Sequence, residues 1–167
     1  NGAGKTTLLN CVSGVFPLTA GEMYFKGEKI SGLKPYEITR KGIGRTFQVV
    51  KPFHGMTVRE NVAIGALFGK KDEEKASLSE VWEKVDEIME FVHLADWGNK
   101  YTNELTIAYR KRLELARALA MEPELLLLDE VMAGLNPKEI EFTMEIVQQI
   151  NEKGITVIMI EHVMKAI

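Results

Sequence analysis

Leu125-Leu126-Leu127-Leu128 and Ile155-Thr156-Val157-Ile158-Met159-Ile160 are two short apolar runs that do not alternate with polar residues. A strand exposed on one face would alternate, so these runs predict strands covered on both faces, as in a parallel sheet. Between them, Asn136-Pro137-Lys138-Glu139 marks a helix start, with Asn136 as cap, Pro137 at the first helical position and Glu139 closing a capping box. Gly154 is placed to stop that helix. Strand, helix and strand make a βαβ unit whose crossover is expected to be right-handed. The fold class is therefore α/β, with a largely parallel sheet.

Working back from this unit, Gly21 to Ile30 alternates weakly around Gly27 and predicts two short strands joined by a turn. Pro35 to Arg40 predicts one or two helical turns ending near Gly42, followed by a strand through Ile43-Gly44-Arg45-Thr46-Phe47. The clearest helix spans Leu78 to Leu94, where Leu78, Val81, Trp82, Val85, Ile88, Met89 and Val92 fall on one stripe and Ser77 and Glu80 form a capping box. Another runs from about Ala108 to Met121 and must end before Pro123. Lys70-Lys71-Asp72-Glu73-Glu74-Lys75 reads as a solvated charged loop.

A chain of 167 residues is close to one domain, on a prior of ~150 residues per domain. Lys plus Arg total 21 and Asp plus Glu total 24, and this balance leaves no basic footprint for nucleic acid. One cysteine, Cys11, excludes an internal disulfide framework and suits a reducing compartment. The longest apolar stretch, Val62 to Phe68, is far short of the ~20 residues that cross a bilayer. His54, His93 and Cys11 carry no signal separable from packing or surface.

The chemistry begins at Asn1-Gly2-Ala3-Gly4-Lys5-Thr6-Thr7, the back half of a P-loop, G-x-x-x-x-G-K-[ST]. Glycines let successive N–H groups turn toward phosphate oxygens, and the helix that follows adds its N-terminal dipole. Lys5 reaches the β/γ-phosphates, and the Thr6 hydroxyl can ligate Mg²⁺. The motif's first glycine would precede Asn1, so a chain truncated at its N-terminus, and at its C-terminus too, is expected. Asp129, at the carboxyl end of the four-leucine strand, can hold Mg²⁺ through water, and Glu130 can orient and deprotonate an attacking water. Gln48, after the strand ending at Phe47, could offer an amide oxygen to Mg²⁺. His162, after the strand ending at Ile160, could hydrogen-bond a γ-phosphate oxygen. All three strand ends should line one sheet edge, where ligands sit in open α/β folds.

In order and spacing, these pieces resemble the ATPase subunit of an ABC transporter: Walker A at Asn1 to Thr7, Q-loop at Gln48, a signature helix, Walker B at Leu125 to Asp129, and H-loop at His162. Gly42-Ile43-Gly44-Arg45-Thr46-Phe47-Gln48, Met56-Thr57-Val58-Arg59-Glu60-Asn61-Val62, Arg112 to Ala120, Ala133-Gly134-Leu135-Asn136-Pro137 and Ile160-Glu161-His162-Val163-Met164-Lys165 are similar to the ATPases of branched-chain amino-acid importers. The resemblance implies a P-loop NTPase (RecA-like) core from 1–47 and 122–167, with an inserted helical subdomain at about 49–121. It implies ATP and Mg²⁺ as ligands and a head-to-tail pair of ATPase subunits. It also implies permease subunits that hold the protein at the cytoplasmic face of the plasma membrane, and indirectly a substrate-binding protein.

The usual LSGGQ appears here as Leu105-Thr106-Ile107-Ala108-Tyr109, in which only the leucine is identical. By the resemblance, Thr106, Ile107 and Ala108 would face the γ-phosphate held by the opposite subunit, with Thr106 capping the signature helix. Val131 replaces the usual proline, and Val163 replaces an aspartate frequent after the histidine. Arg110-Lys111-Arg112 reads as a solvated basic face. Val49, Val50, Phe53, Met56 and Phe68 read either as core or as a groove for a partner's helix. A small GTPase is disfavoured because Asn99-Lys100-Tyr101-Thr102 lacks the required aspartate. A soluble ABC-type ATPase and a nucleotide-sensing module that does not hydrolyse remain as alternatives.

Overall fold

The computed structural model describes residues 3–47, 51–69 and 77–162. In chain order the elements are α1 (Lys5–Val12), β1 (Tyr24–Phe25), β2 (Glu28–Lys29), α2 (Pro35–Arg40), β3 (Ile43–Arg45), α3 (Val58–Phe68), α4 (Leu78–Phe91), α5 (Ile107–Ala120), β4 (Leu125–Asp129), α6 (Pro137–Glu152) and β5 (Thr156–Ile160). β3, β4 and β5 form a parallel sheet in that order, with Leu127 opposite Arg45 on one side and Ile158 on the other. β1 and β2 form a separate antiparallel hairpin. Its turn places Lys26 and Gly27 at φ 51° and 80°, the left-handed pair that a tight hairpin turn requires.

The alternation of β4 divides the core between the two faces of the sheet. Leu126 and Leu128 join α5 and α6, packing with Leu113, Ile146 and Ile150. Leu127 points the other way, into a smaller cluster with Leu9 of α1, Ile38 of α2 and Ile43 of β3. All three leucines are fully buried. Each such burial favours folding by roughly 1.5–3 kcal/mol over exposure, which is why the run belongs at the centre of the sheet. The larger cluster is continuous from Val81, Val85 and Met89 of α4 through α3 and α5 to β4.

Helix ends follow their capping residues. The Thr57, Ser77 and Asn136 side chains accept N–H groups from the first turns of α3, α4 and α6, and Glu60, Glu80 and Glu139 reach back to the three cap residues. Gly154, at φ 90°, lies just beyond the end of α6.

The structure corrects the sequence reading of the fold in five places, the first being β3, which ends at Arg45 and does not run on through Phe47. α4 ends at Phe91, not Leu94, because His93 turns left-handed at φ 55° and sends Leu94 into the core. Leu78 is exposed, so it does not belong to the buried stripe. β5 is covered unevenly: Val157 and Met159 pack on the main core, and on the other face Ile160 is buried with Leu127 while Ile158 is 45% exposed. α3 was not anticipated, although Thr57 and Glu60 are a capping-box pair at its start. The charged loop at 70–75 lies outside the described residues.

α3 packs closely on α5 because Gly65 lacks a side chain. A Cβ there would lie 2.5 Å from the Arg117 carbonyl oxygen and 3.0 Å from Ala120 Cβ. Gly65→Ala is expected to destabilise the protein by about 1–3 kcal/mol, the usual cost of overpacking, despite alanine's better helix propensity. Urea unfolding checks this, and an unchanged midpoint would mean that the helices can separate at no cost.

Candidate nucleotide site

The site begins where the chain turns into α1. Gly4 has φ 79° and nothing within 4 Å of an added Cβ, so glycine serves the left-handed backbone there rather than a lack of space. The first turn of α1 carries no acidic residue, leaving its amide groups and the positive end of its dipole available to an anion. Ala3 to Thr7 line one side of a cleft of about 210 Å³, and Glu130 and His162 line the other. Residues more than 120 positions apart in sequence thus meet across a few ångströms. Asn1, Gly2 and Gln48 lie outside the described residues.

Asp129 is the last residue of β4 and is almost fully buried. Its carboxylate is gripped from two directions. The Thr6 hydroxyl lies 3.5 Å from Oδ1, a long hydrogen bond, and Arg45 Nη2 donates to Oδ2 at 3.2 Å. Arg45 Nη1 also donates to Ser13 Oγ at 2.6 Å, tying the end of α1 to the end of β4. Burial pulls the Arg45 guanidinium below its ordinary pKa while Asp129 opposes that shift, and an arginine so placed remains charged. Sequence reasoning did not single out Arg45. The available signal was its period-two relation to Ile43, which directs a charge toward the buried face of β3.

Glu130 follows with φ 52°, a left-handed conformation that is uncommon outside glycine, asparagine and aspartate. Its N–H continues the β4–β5 ladder by donating to the Ile160 carbonyl at 2.9 Å. Its Oε1 lies 3.0 Å from His162 Nε2, close enough for an Nε2–H to donate to the carboxylate. The residue before His162 braces the same loop, since the Met132 N–H donates to Glu161 Oε1 at 2.9 Å. Glu161 was not anticipated either.

Thr106 caps α5 as expected, with its hydroxyl accepting the Tyr109 N–H at 3.5 Å. Ile107 is exposed and Ala108 buried, and neither they nor Thr106 line the cleft beside Lys5. Arg110-Lys111-Arg112 is not a solvated face. Lys111 is buried, Arg110 Nε is shielded from solvent, and Arg112 lies 4.0 Å above the Phe142 ring. The reason is helical phase, because Lys111 occupies the same stripe as Ala108, Leu115 and Ala118.

The donor set suits magnesium. Among the described residues no three His, Cys, Asp or Glu side chains cluster as an all-protein metal cage. Mg²⁺ needs no such cage, since it is commonly held by one or two carboxylates together with substrate phosphates and retained water. Thr6 and Asp129, beside the P-loop, are the residues that would hold it.

A glycine turn opening a helix, a Lys-Thr pair at the cleft, and an Asp-Glu pair at the end of the central strand define a P-loop nucleotide-binding site on a parallel sheet. The chain belongs to the ABC transporter ATP-binding family: the family model described as ABC transporter matches residues 1–133. It is 37% identical to the high-affinity branched-chain amino acid transport ATP-binding protein BraF of Pseudomonas aeruginosa PAO1, over 100% of this chain and 70% of that protein. It is 35% identical to LivG of Escherichia coli K12, described in the same words, over the same shares. Among solved structures, the dimeric ABC transporter cassette MJ0796 superposes with a TM-score of 0.87 at 29% identity, covering 99% of this chain and 73% of that one. The ADP conformation of the cassette MJ1267 superposes with a TM-score of 0.84 at 34% identity, covering 97% and 67%. The fold is the ATP-binding cassette, and ATP hydrolysis coupled to transport is the work of the family. No helix among the described residues is long and apolar enough to cross a membrane.

Proposed function

We propose that the protein is the ATP-hydrolysing subunit that powers an ABC importer, with branched-chain amino acids as the transported class. The observation that carries the hydrolytic reading is the Glu130–His162 pair, 3.0 Å apart and facing Ala3 to Thr7 across the cleft. The substrate class is supported by the likeness to BraF and LivG.

In this reading the Lys5 ammonium and the α1 amides neutralise the phosphate oxygens. The Thr6 hydroxyl and Gln48 would hold Mg²⁺ directly and Asp129 would hold it through water. Mg²⁺, when bound, offsets charge on the β- and γ-phosphates. The Glu130 carboxylate receives the proton of the water that attacks the γ-phosphorus, while the bond to the leaving ADP oxygen breaks. His162 orients Glu130 through Oε1 and reaches toward the γ-phosphate. Catalysis of this kind is mostly positioning and charge stabilisation.

Two copies, or this chain and a sister ATPase, would close head to tail around two ATP molecules, each signature (Thr106, Ile107, Ala108) facing the other's P-loop. Segment 49–121 would act as the helical subdomain that meets the permease at the cytoplasmic face of the plasma membrane. Of the candidate groove residues, Phe53 and Phe68 are exposed, which favours docking over core packing, Met56 is half-buried, and Val49 and Val50 lie outside the described residues. A substrate-binding protein would act indirectly, from the other side.

The test is reconstitution of the full-length protein with its permease in liposomes. ATP turnover should rise when binding protein loaded with leucine, isoleucine or valine is added, and should fall to background when Mg²⁺ is removed with EDTA. Turnover indifferent to the permease and the binding protein would refute the transport reading, and turnover that survives EDTA would refute the metal site.

A further inference from the structure

Lys111 sits on the second turn of α5, inside the core, and its Nζ donates to the backbone carbonyl of Glu130 at 2.9 Å. That carbonyl also accepts the Ala133 N–H at 3.2 Å, while the Glu130 N–H is held by Ile160. With His162 on the carboxylate, Glu130 is fastened at its amide, its carbonyl and its side chain. A glutamate at φ 52° persists only where its surroundings over-determine it.

A buried ammonium is costly, and an apolar residue of similar length would fill the same stripe of α5 without that cost. Burial pulls the Lys111 pKa down, and the carboxylates of Glu161, Glu130, Glu114 and Asp129 act in the opposite direction. Of these, Glu130 lines the phosphate cleft and Asp129 precedes it at the end of β4. Packing alone does not account for a cation there.

We propose that Lys111 is a positioning residue for Glu130: by clamping the Glu130 carbonyl it fixes the left-handed turn that carries the Glu130 carboxylate into the phosphate cleft. The proposal rests on the reading of Glu130 as the group that takes the proton from the attacking water. Because Lys111 rides on the helix that begins at Thr106, the clamp makes the aim of Glu130 depend on where α5 sits against β4. The signature helix is then mechanically joined to the hydrolytic centre of its own chain.

The experiment compares Lys111→Met and Lys111→Arg with wild type in the full-length protein, measuring kcat, ATP affinity and thermal midpoint separately. Lys111→Met should lower kcat by about 10- to 100-fold, the scale of loss from slight misplacement of a reacting group, with ATP affinity unchanged. Lys111→Arg, which can still donate to the carbonyl, should recover most of that loss. An unchanged kcat in Lys111→Met would overturn the proposal. So would a parallel fall of kcat, affinity and thermal midpoint in both variants, which marks a merely structural lysine. Should Lys111→Met fail to fold, Lys111→Gln, one bond too short for the carbonyl, is read by the same criteria. Glu130→Gln separates the two claims: if it keeps turnover, the reading of Glu130 falls and the clamp with it. If it abolishes turnover while Lys111→Met does not, the clamp alone falls.

Discussion

Glu130→Gln in the full-length protein is expected to lower ATP turnover by about 10²-fold or more, the scale on which preorganised groups at a reacting centre act. The substitution keeps size and removes the proton-accepting oxygen. The carboxylate lies against His162 and the cleft, whereas in the proposed site the phosphates would be met chiefly by the α1 amides and Lys5 on the opposite wall. ATP binding should therefore persist, and the variant should hold ATP without turning it over. Equilibrium binding of a fluorescent ATP analogue, set beside single-turnover hydrolysis, separates the two quantities. Wild-type turnover would remove Glu130 from the reaction.

Lys5→Ala is the second large effect, and it falls on binding. A charge-assisted hydrogen bond contributes about 1.5–3 kcal/mol, so nucleotide affinity should drop on the order of 10- to 100-fold. Thr106→Ala should cost less. Its hydroxyl is engaged as the α5 cap, and Ile107 and Ala108 carry side chains where glycines would allow closer approach to a phosphate. In a heterodimer, the site built on this chain's P-loop should be more sensitive than the one built on its signature. Titrating nucleotide into both variants checks the order, and equal losses would contradict it.

The parallel strands, the capped helices α4, α5 and α6 and the cleft were legible in the sequence because each rests on a local rule. Four leucines without alternation suit a strand covered on both faces, as β4 is, and Asn136-Pro137-Lys138-Glu139 specifies a helix start whatever surrounds it. The convergence of Lys5, Thr6, Asp129, Glu130 and His162 at one end of the sheet was also legible, because motif order supplied the long-range pairing that spacing alone does not. The charges that hold those groups in place were harder to read. Arg45 and Lys111 look like surface cations until the phase of their strand or helix is compared with the buried positions beside them. Glu161 is visible only once the loop after Glu130 is placed, since its partner is the Met132 backbone. β5 misled for a related reason. An apolar run records what a strand can bury, not whether the second face is covered.

The central claim is that these scattered side chains serve one magnesium–triphosphate. A crystal structure of the full-length Glu130→Gln protein with Mg²⁺ and ATP tests it most directly. The expected density has the triphosphate wrapped by Ala3 to Thr7, with the metal on the Thr6 hydroxyl and Asp129 one water away. Gln48 reaches the same ion, and the substituted residue 130 and His162 face the γ-phosphate. A triphosphate seated elsewhere, or a metal that leaves Thr6 and Asp129 untouched, would contradict the account.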